Sequence, residues 1–278
     1  MKIGIVGLGL IGGSLGLDWR SQGHCIIGIS RKEQTCNAAL AKGVADQAST
    51  NLKLLSDVEI VVICTPIGAI VPTVEQAIPH LNPKTIITDV GSVKEPIVTA
   101  CNALWQNFIG GHPMAGTAES GIDAALPNLF GEAAYVFTPT RQNKPEDVEK
   151  LKALAYELNA IPYVCEPPVH DRAVSLISHL PVMIGTGLIS TCLQADSDTL
   201  KLAQILASSG FKDTSRVGGG NPELGVMIAK YNREELLRSL YSYRNNLDKI
   251  VSLIEGKKWQ DLEQMLEDNG EQRPRFLN

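Results

Sequence analysis

The stretch Gly110-Gly111-His112-Pro113-Met114-Ala115-Gly116 holds the residue types that proton transfer needs. Imidazole accepts a proton near neutral pH. The two glycines before it allow close backbone approach or positive φ. Pro113 fixes its own φ and biases His112 away from the α region. The segment reads as a loop, too irregular for helix or strand. It presents His112 either as a base or as a turn residue capping a neighbouring carbonyl.

A second motif supplies something for such a base to work with. Gly7-Leu8-Gly9-Leu10-Ile11-Gly12 follows an apolar strand pattern and opens a helical one. In that context G-x-G-x-x-G predicts a dinucleotide site. Gly7 permits the tight turn, Gly9 a close approach to pyrophosphate, and Gly12 close helix–strand packing. Leu10 and Ile11 lie within the motif that opens the helix, whose N-terminus offers N–H groups and a positive dipole end to phosphates. The second strand ends in Ser30-Arg31-Lys32 without the carboxylate that an NAD site carries for the ribose 2′-hydroxyl. Ser30 can donate to a 2′-phosphate and Arg31 can clamp it, so the pattern favours NADP.

Further candidates fall at strand ends. Thr65-Pro66 closes the third major strand, on the carboxyl edge where open α/β sheets bind ligands. Asp89-Val90-Gly91-Ser92 ends the next strand, making Ser92 a candidate for the nicotinamide end or the N-cap of the following helix. His112 follows the strand after that, which brings it to the same edge. Asp171, Ser175 and His179 share a helical face at four-residue spacing. His170 and His179, nine residues apart, fall on opposite faces of a continuous helix, so at most one can line a common cleft.

The elements that must position these groups alternate. Strand patterns cover residues 2–6, 25–29, 59–64, 85–88, 107–109, 134–137 and 162–164. Helical patterns cover 12–22, 32–42, 93–105 and 145–158. This predicts an α/β, Rossmann-type, mostly parallel sheet domain over residues 1–165. Glu166-Pro167-Pro168 marks a boundary, and residues 166–278 read as an all-helical domain. There Leu236, Leu237, Leu240, Tyr243, Leu247, Ile250, Val251 and Ile254 form one stripe. Such a stripe predicts a homodimer, with an intramolecular helix pair as the alternative.

Composition narrows the function classes. A net charge of −5 argues against nucleic acid and anionic membranes as partners. The six cysteines lack C-x-x-C metal or redox spacing and read as core residues in a reducing compartment. The apolar N-terminus runs into Asp18-Trp19-Arg20 where a signal peptide would need small residues. The run over residues 60–71 is interrupted by Thr65-Pro66 and is too short for a bilayer. A soluble, cytoplasmic protein acting on a small molecule is expected.

Together with the glycine motif, four more segments resemble the prephenate/arogenate dehydrogenase family. They are Asp89-Val90-Gly91-Ser92-Val93-Lys94, His112-Pro113-Met114-Ala115-Gly116, Ser178-His179-Leu180-Pro181 and Gly210-Phe211-Lys212-Asp213-Thr214-Ser215-Arg216. They recur in order from residue 4 to about 230, and the chain is most similar to compact NADP-linked arogenate dehydrogenases. The resemblance implies oxidative decarboxylation of arogenate to tyrosine, or of prephenate to 4-hydroxyphenylpyruvate. It also implies that His112 takes the ring hydroxyl proton while Ser92 holds the hydroxyl and imidazole in register. His179 would line the substrate pocket and Arg216 would bind a substrate carboxylate, in its own or the partner subunit. Lys212 stands where many relatives carry arginine. Glu119 is a candidate for an arogenate ammonium, or the start of a surface helix.

Other readings compete. A β-hydroxyacid dehydrogenase or imine reductase would share the architecture but place a lysine or acid on the helical domain. A non-catalytic NADP sensor would need no proton acceptor.

Overall fold

The computed structural model describes residues 1–117 and 119–277. Residues 1–232 form one compact unit and residues 233–278 a second.

The first unit is built on eight strands: β1 (Lys2–Val6), β2 (Cys25–Ile29), β3 (Gln47–Ser49), β4 (Ile60–Ile63), β5 (Ile86–Asp89), β6 (Phe108–Pro113), β7 (Ala134–Thr138) and β8 (Ile161–Val164). Their order is β3-β2-β1-β4-β5-β6-β7-β8. Pairing is parallel throughout except between β6 and β7. β1 and β4 are mostly apolar and, like β5, buried along nearly their whole length, as strands covered on both faces must be. Two apolar clusters lie on the two sides, one around Ile5, Leu15 and Trp19, the other around Ile63, Ile70 and Val98.

The helices of this unit are α1 (Leu10–Ser21), α2 (Glu33–Ala41), α3 (Ile67–Ala77), α4 (Glu95–Leu104), α5 (Pro145–Glu157), α6 (Pro167–Val174), α7 (Leu180–Cys192), α8 (Ser197–Leu206), α9 (Ser209–Ser215) and α10 (Pro222–Tyr231). Strand β3 and helix α3 escaped the sequence reading. The first is only three residues long, and the second opens directly on Pro66 and carries an internal Pro72.

Two departures matter for the site. Residues 107–109 extend into the six-residue β6, so His112 sits in a strand and not in a loop. Its glycines and proline are tolerated because β6 leaves β5 after Ile109 and pairs antiparallel with β7, His112 opposite Val136. The second departure lies between α6 and α7, where Ser175–His179 is a π-helical turn. Nine residues of α-helix make about two and a half turns, which would oppose His170 to His179. The wider π turn removes that opposition, and both side chains are buried.

Together α6, the π turn and α7 form a helix over Pro167–Cys192 that is long and apolar enough to cross a membrane by length and composition. Its orientation is the reverse of a core helix. Asp171, Ser175 and His179 are buried while Leu176 and Ile177 are exposed. The polar stripe faces inward because the site is there.

The second unit consists of α11 (Arg233–Glu255), α12 (Trp259–Gln272) and a final 3-10 turn, Arg273–Phe276. On α11, Leu247, Val251 and Ile254 of the apolar stripe are exposed.

Candidate active site

The carboxyl ends of β1 and β4 frame a cleft of about 600 Å³, lined by Gly7, Gly9, Ser30, Arg31, Thr65 and Pro66 among others. Gly7 has φ +103°, a conformation that favours glycine. A Cβ at Gly12 would run into the Gly7 carbonyl oxygen, so Gly12 serves the packing of α1 against the turn. Leu10 and Ile11 turn their side chains to the core and offer only backbone. No side chain caps α1 at Gly9, which leaves its first N–H groups for an anion. The cleft also includes Lys32, Thr35 and Thr50, which sequence reading did not single out. Thr35 sits on the first turn of α2, and that helix position was the available signal. The buried Thr65 Oγ1 has no hydrogen-bond partner among the described residues. An uncapped helix start and an unpartnered hydroxyl fit the phosphates of a dinucleotide, and the cleft ends at the basic residues Arg31 and Lys32.

The second half of the site is a chain of hydrogen bonds ending on His112. His170 Nδ1 lies 2.8 Å from Asp171 Oδ1, and His170 Nε2 lies 2.8 Å from His112 Nδ1. The rings meet edge to face, 5.0 Å apart. The carboxylate assigns the protons. His170 carries its hydrogen on Nδ1, toward Asp171, so its Nε2 accepts. His112 therefore donates through Nδ1, and its Nε2 is left with a lone pair. That nitrogen makes no hydrogen bond among the described residues.

Asp171 is itself held by the start of α4. Its Oδ1 accepts from the Lys94 backbone N–H at 2.7 Å and its Oδ2 from that of Glu95 at 2.8 Å. A carboxylate on α6 thus caps α4, a favourable place for negative charge. The N-cap role that Ser92 could have taken belongs to Asp171, and Ser92 Oγ is buried without a hydrogen-bond partner among the described residues.

His179 shows the opposite tautomer. Asn232 Nδ2 donates to the Asp171 carbonyl at 2.8 Å and to His179 Nδ1 at 3.1 Å. With Nδ1 accepting, the hydrogen of neutral His179 sits on Nε2, which is buried and has no hydrogen-bond partner among the described residues. Burial holds His179 down to about 4. Burial also pushes His112 well below the usual imidazole value, helped by His170, Lys94 and His179. At neutral pH one imidazole is a vacant acceptor and the other a vacant donor.

The remaining candidates lie in exposed positions. Arg216 is exposed at the start of a 3-10 turn whose Gly218 carbonyl accepts from Thr186 Oγ1 of α7 at 3.2 Å. Lys212 is exposed on α9. Glu119 is exposed in non-helical backbone, with the nearest helical turn starting only at Ile122. Burial raises the thiols of Cys64 and Cys101, the latter to about 12, so neither is a nucleophile at neutral pH. No metal-holding cluster occurs among the described residues.

Comparison with known proteins identifies the family. Residues 15–164 match the family model described as prephenate dehydrogenase, nucleotide-binding domain. Residues 166–268 match the one described as prephenate dehydrogenase, dimerization domain. The chain belongs to the prephenate dehydrogenase family. It is 32% identical over 265 residues to prephenate dehydrogenase of Bacillus subtilis, covering 93% of this chain and 71% of that one. The crystal structure of Synechocystis arogenate dehydrogenase superposes with a TM-score of 0.92 at 51% identity, covering 99% of this chain and all of that one. Prephenate dehydrogenase of A. aeolicus, solved with hydroxyphenyl propionate and NAD+, has the same fold, with a TM-score of 0.92 at 24% identity over 99% and 98% of the two chains. Within the family, residues 15–164 match a nucleotide-binding domain, and the apolar residues left exposed on the π turn (Leu176, Ile177), on α8 (Leu202, Ile205, Leu206) and on α11 (Leu247, Val251, Ile254) fall in the stretch that matches a dimerization domain.

His170 and Asn232 are the site residues that sequence reasoning missed, while Asp171 was read on one face with His179 but without its role toward His170. The adjacent His-Asp pair was the visible signal for His170, and the assumption of an unbroken α-helix hid it. Asn232 carried no signal, since a lone asparagine at a helix end reads as a cap.

Proposed function

We propose that the protein catalyses NADP-dependent oxidative decarboxylation of arogenate to tyrosine. The observation that carries the reading is the vacant Nε2 of a neutral, buried His112, oriented by His170 and Asp171 on the carboxyl side of a nucleotide-binding sheet. The 51% identity to an arogenate dehydrogenase favours arogenate over prephenate. Residues 1–165 would form the cofactor domain and residues 166–278 the substrate and dimerisation domain of a cytoplasmic homodimer.

When bound, the cofactor supplies the acceptor for the hydrogen and two electrons that leave the ring carbon bearing the hydroxyl. The chain's own residues do the rest. Gly7, Gly9 and the start of α1 hold the pyrophosphate, Thr65 and Pro66 border the same cleft, and Ser30 and Arg31 hold the 2′-phosphate. Ser92 Oγ bonds the substrate hydroxyl and keeps it beside the imidazole. His112 Nε2 accepts the hydroxyl proton as the carbonyl forms. His179 Nε2–H donates to an oxygen of the substrate, and Arg216 binds a carboxylate in bidentate fashion. The C–C pair released with CO₂ enters the conjugated carbonyl, and aromatisation drives the step.

Purified protein incubated with arogenate or prephenate and either NADP⁺ or NAD⁺ tests the reading, with reduced cofactor and released CO₂ followed together. Arogenate with NADP⁺ should turn over fastest. No turnover with either substrate refutes it. The cofactor assignment has its own test in Ser30→Asp with Arg31→Ala. A carboxylate facing the 2′-phosphate and loss of the clamp should raise KM for NADP⁺ at least about tenfold, equivalent to about 1.4 kcal/mol. KM for NAD⁺ should hold or fall. Equal effects on both cofactors would place the 2′-phosphate elsewhere.

A further inference from the structure

Beneath the base lies a titratable pair that the reaction does not consume. Asp89 and Lys94 form an ion pair with both side chains fully buried. Buried pairs are expensive, and apolar residues of similar volume often stabilise a fold as well or better. What distinguishes this pair is what else it binds. Asp89 Oδ2 accepts from the Gly91 N–H at 2.9 Å, and Oδ1 from the Gly111 N–H at 3.1 Å. Lys94 Nζ donates to the Gly111 carbonyl at 2.7 Å. Both backbone groups of the residue before His112 are therefore held by this one pair.

The register explains the need. β5 and β6 pair only as far as Thr88 with Ile109. Beyond that point β6 turns to β7, and its side facing β5 has lost the ladder. Asp89 and Lys94 take over the Gly111 groups that a ladder would have satisfied. The fit is close, since a Cβ at Gly111 would stand 2.6 Å from the Asp89 carbonyl oxygen and 2.8 Å from Thr88 Oγ1. Lys94 also acts by a second route. Its backbone N–H holds Asp171 Oδ1, the oxygen that fixes His170, and His170 fixes the His112 ring.

We propose that Lys94, with Asp89, is the positioning residue of the site, setting the main chain of His112 through Gly111 and its ring through Asp171 and His170. The proposal rests on His112 being the base. Around that imidazole stand His170 and Asp171 from α6, His179 from the π turn, Lys94 from the start of α4 and Asp89 from β5. The Lys94 ammonium opposes protonation of His112, so it also keeps the base free in acid.

Lys94→Met alone leaves Asp89 buried without its cation, so the test pairs it with Asp89→Asn, which keeps an acceptor for Gly111. The double variant of the full chain is compared with wild type by thermal midpoint, by ¹⁵N spectra of labelled imidazoles, and by the pH profile of kcat/KM. Expected are kcat lower by about a hundredfold and KM for NADP⁺ within about twofold. The acid limb should move up by about one pH unit, and His112 should show mixed tautomers where wild type shows only Nδ1–H. A folded double variant with wild-type kcat, acid limb and tautomer overturns the proposal. So does a variant whose midpoint and kcat fall while acid limb and tautomer stay fixed, because a purely structural pair behaves that way. The imidazole spectra need no turnover, so they separate failure of this inference from failure of His112 as the base.

Discussion

His112→Asn is expected to lower kcat by about 10²–10⁴, the span associated with general acid–base catalysis. Asparagine is smaller than histidine and can still donate from its amide to His170 Nε2, so the buried chain to Asp171 keeps its partner. What disappears is the lone pair at the position of His112 Nε2, and a neutral amide supplies no base there. The cofactor cleft is built by β1, β2 and β4, so NADP⁺ affinity should stay within about twofold of wild type. The pH profile carries a second signature. Burial and the neighbouring His170, Lys94 and His179 disfavour the imidazolium. The base form therefore persists below pH 6.5, and kcat/KM should hold across neutral pH and fall only on the acid side. In the asparagine variant that limb vanishes along with most of the rate. Unchanged turnover would falsify the role of His112 and leave it a structural strand residue.

The same depressed values couple the site to stability. His112 and His179 bind protons more weakly when folded than when unfolded. Their contribution is complete above the unfolded value near 6.5 and is lost as pH falls toward the folded values.

Much of this architecture was legible in the chain because local pattern and tertiary role agree. β1 and β2 match their apolar runs residue for residue, and the glycine motif sits in the turn its spacing requires. Legibility failed where tertiary contacts overrule local preference. Gly110-Gly111-His112-Pro113 has no strand propensity, yet it lies in β6 because β7 and the Asp89–Lys94 pair together satisfy its backbone. His170 was set aside because helical periodicity assumes 3.6 residues per turn, and a single π turn at Ser175–His179 cancels the argument. The start of α4 shows a third limit. Ser92 has the spacing of an N-cap as well as of a site residue, and only the structure shows a carboxylate seventy-seven residues downstream of Lys94 taking the capping role. Long-range capping leaves no trace in local sequence.

That carboxylate carries the second large effect. Asp171→Asn is expected to lower both stability and rate, unlike His112→Asn, which should lower the rate alone. Asp171 accepts three hydrogen bonds, two from the Lys94 and Glu95 backbone N–H groups at the start of α4 and one from its α6 neighbour His170 through Nδ1. An asparagine offers one oxygen and one NH₂. If the oxygen takes Lys94 and His170, the NH₂ faces the Glu95 N–H. If it flips, two donors are opposed. Each orphaned buried donor costs about 1–3 kcal/mol, which for a chain of this size lowers the thermal midpoint by about 3–10 °C. The consequence for the rate runs through tautomers. Without the carboxylate, His170 is free to move its hydrogen to Nε2, where it confronts His112 Nδ1. His112 then accepts at Nδ1 and carries its own hydrogen on Nε2, and the lone pair that takes the substrate proton is gone. A loss of about 10²–10⁴ in kcat is expected, comparable to removing the imidazole itself. Measuring both variants by calorimetry and by single-turnover kinetics separates the two roles. A folded Asp171→Asn enzyme with wild-type kcat would show that His112 keeps its tautomer without the buried relay.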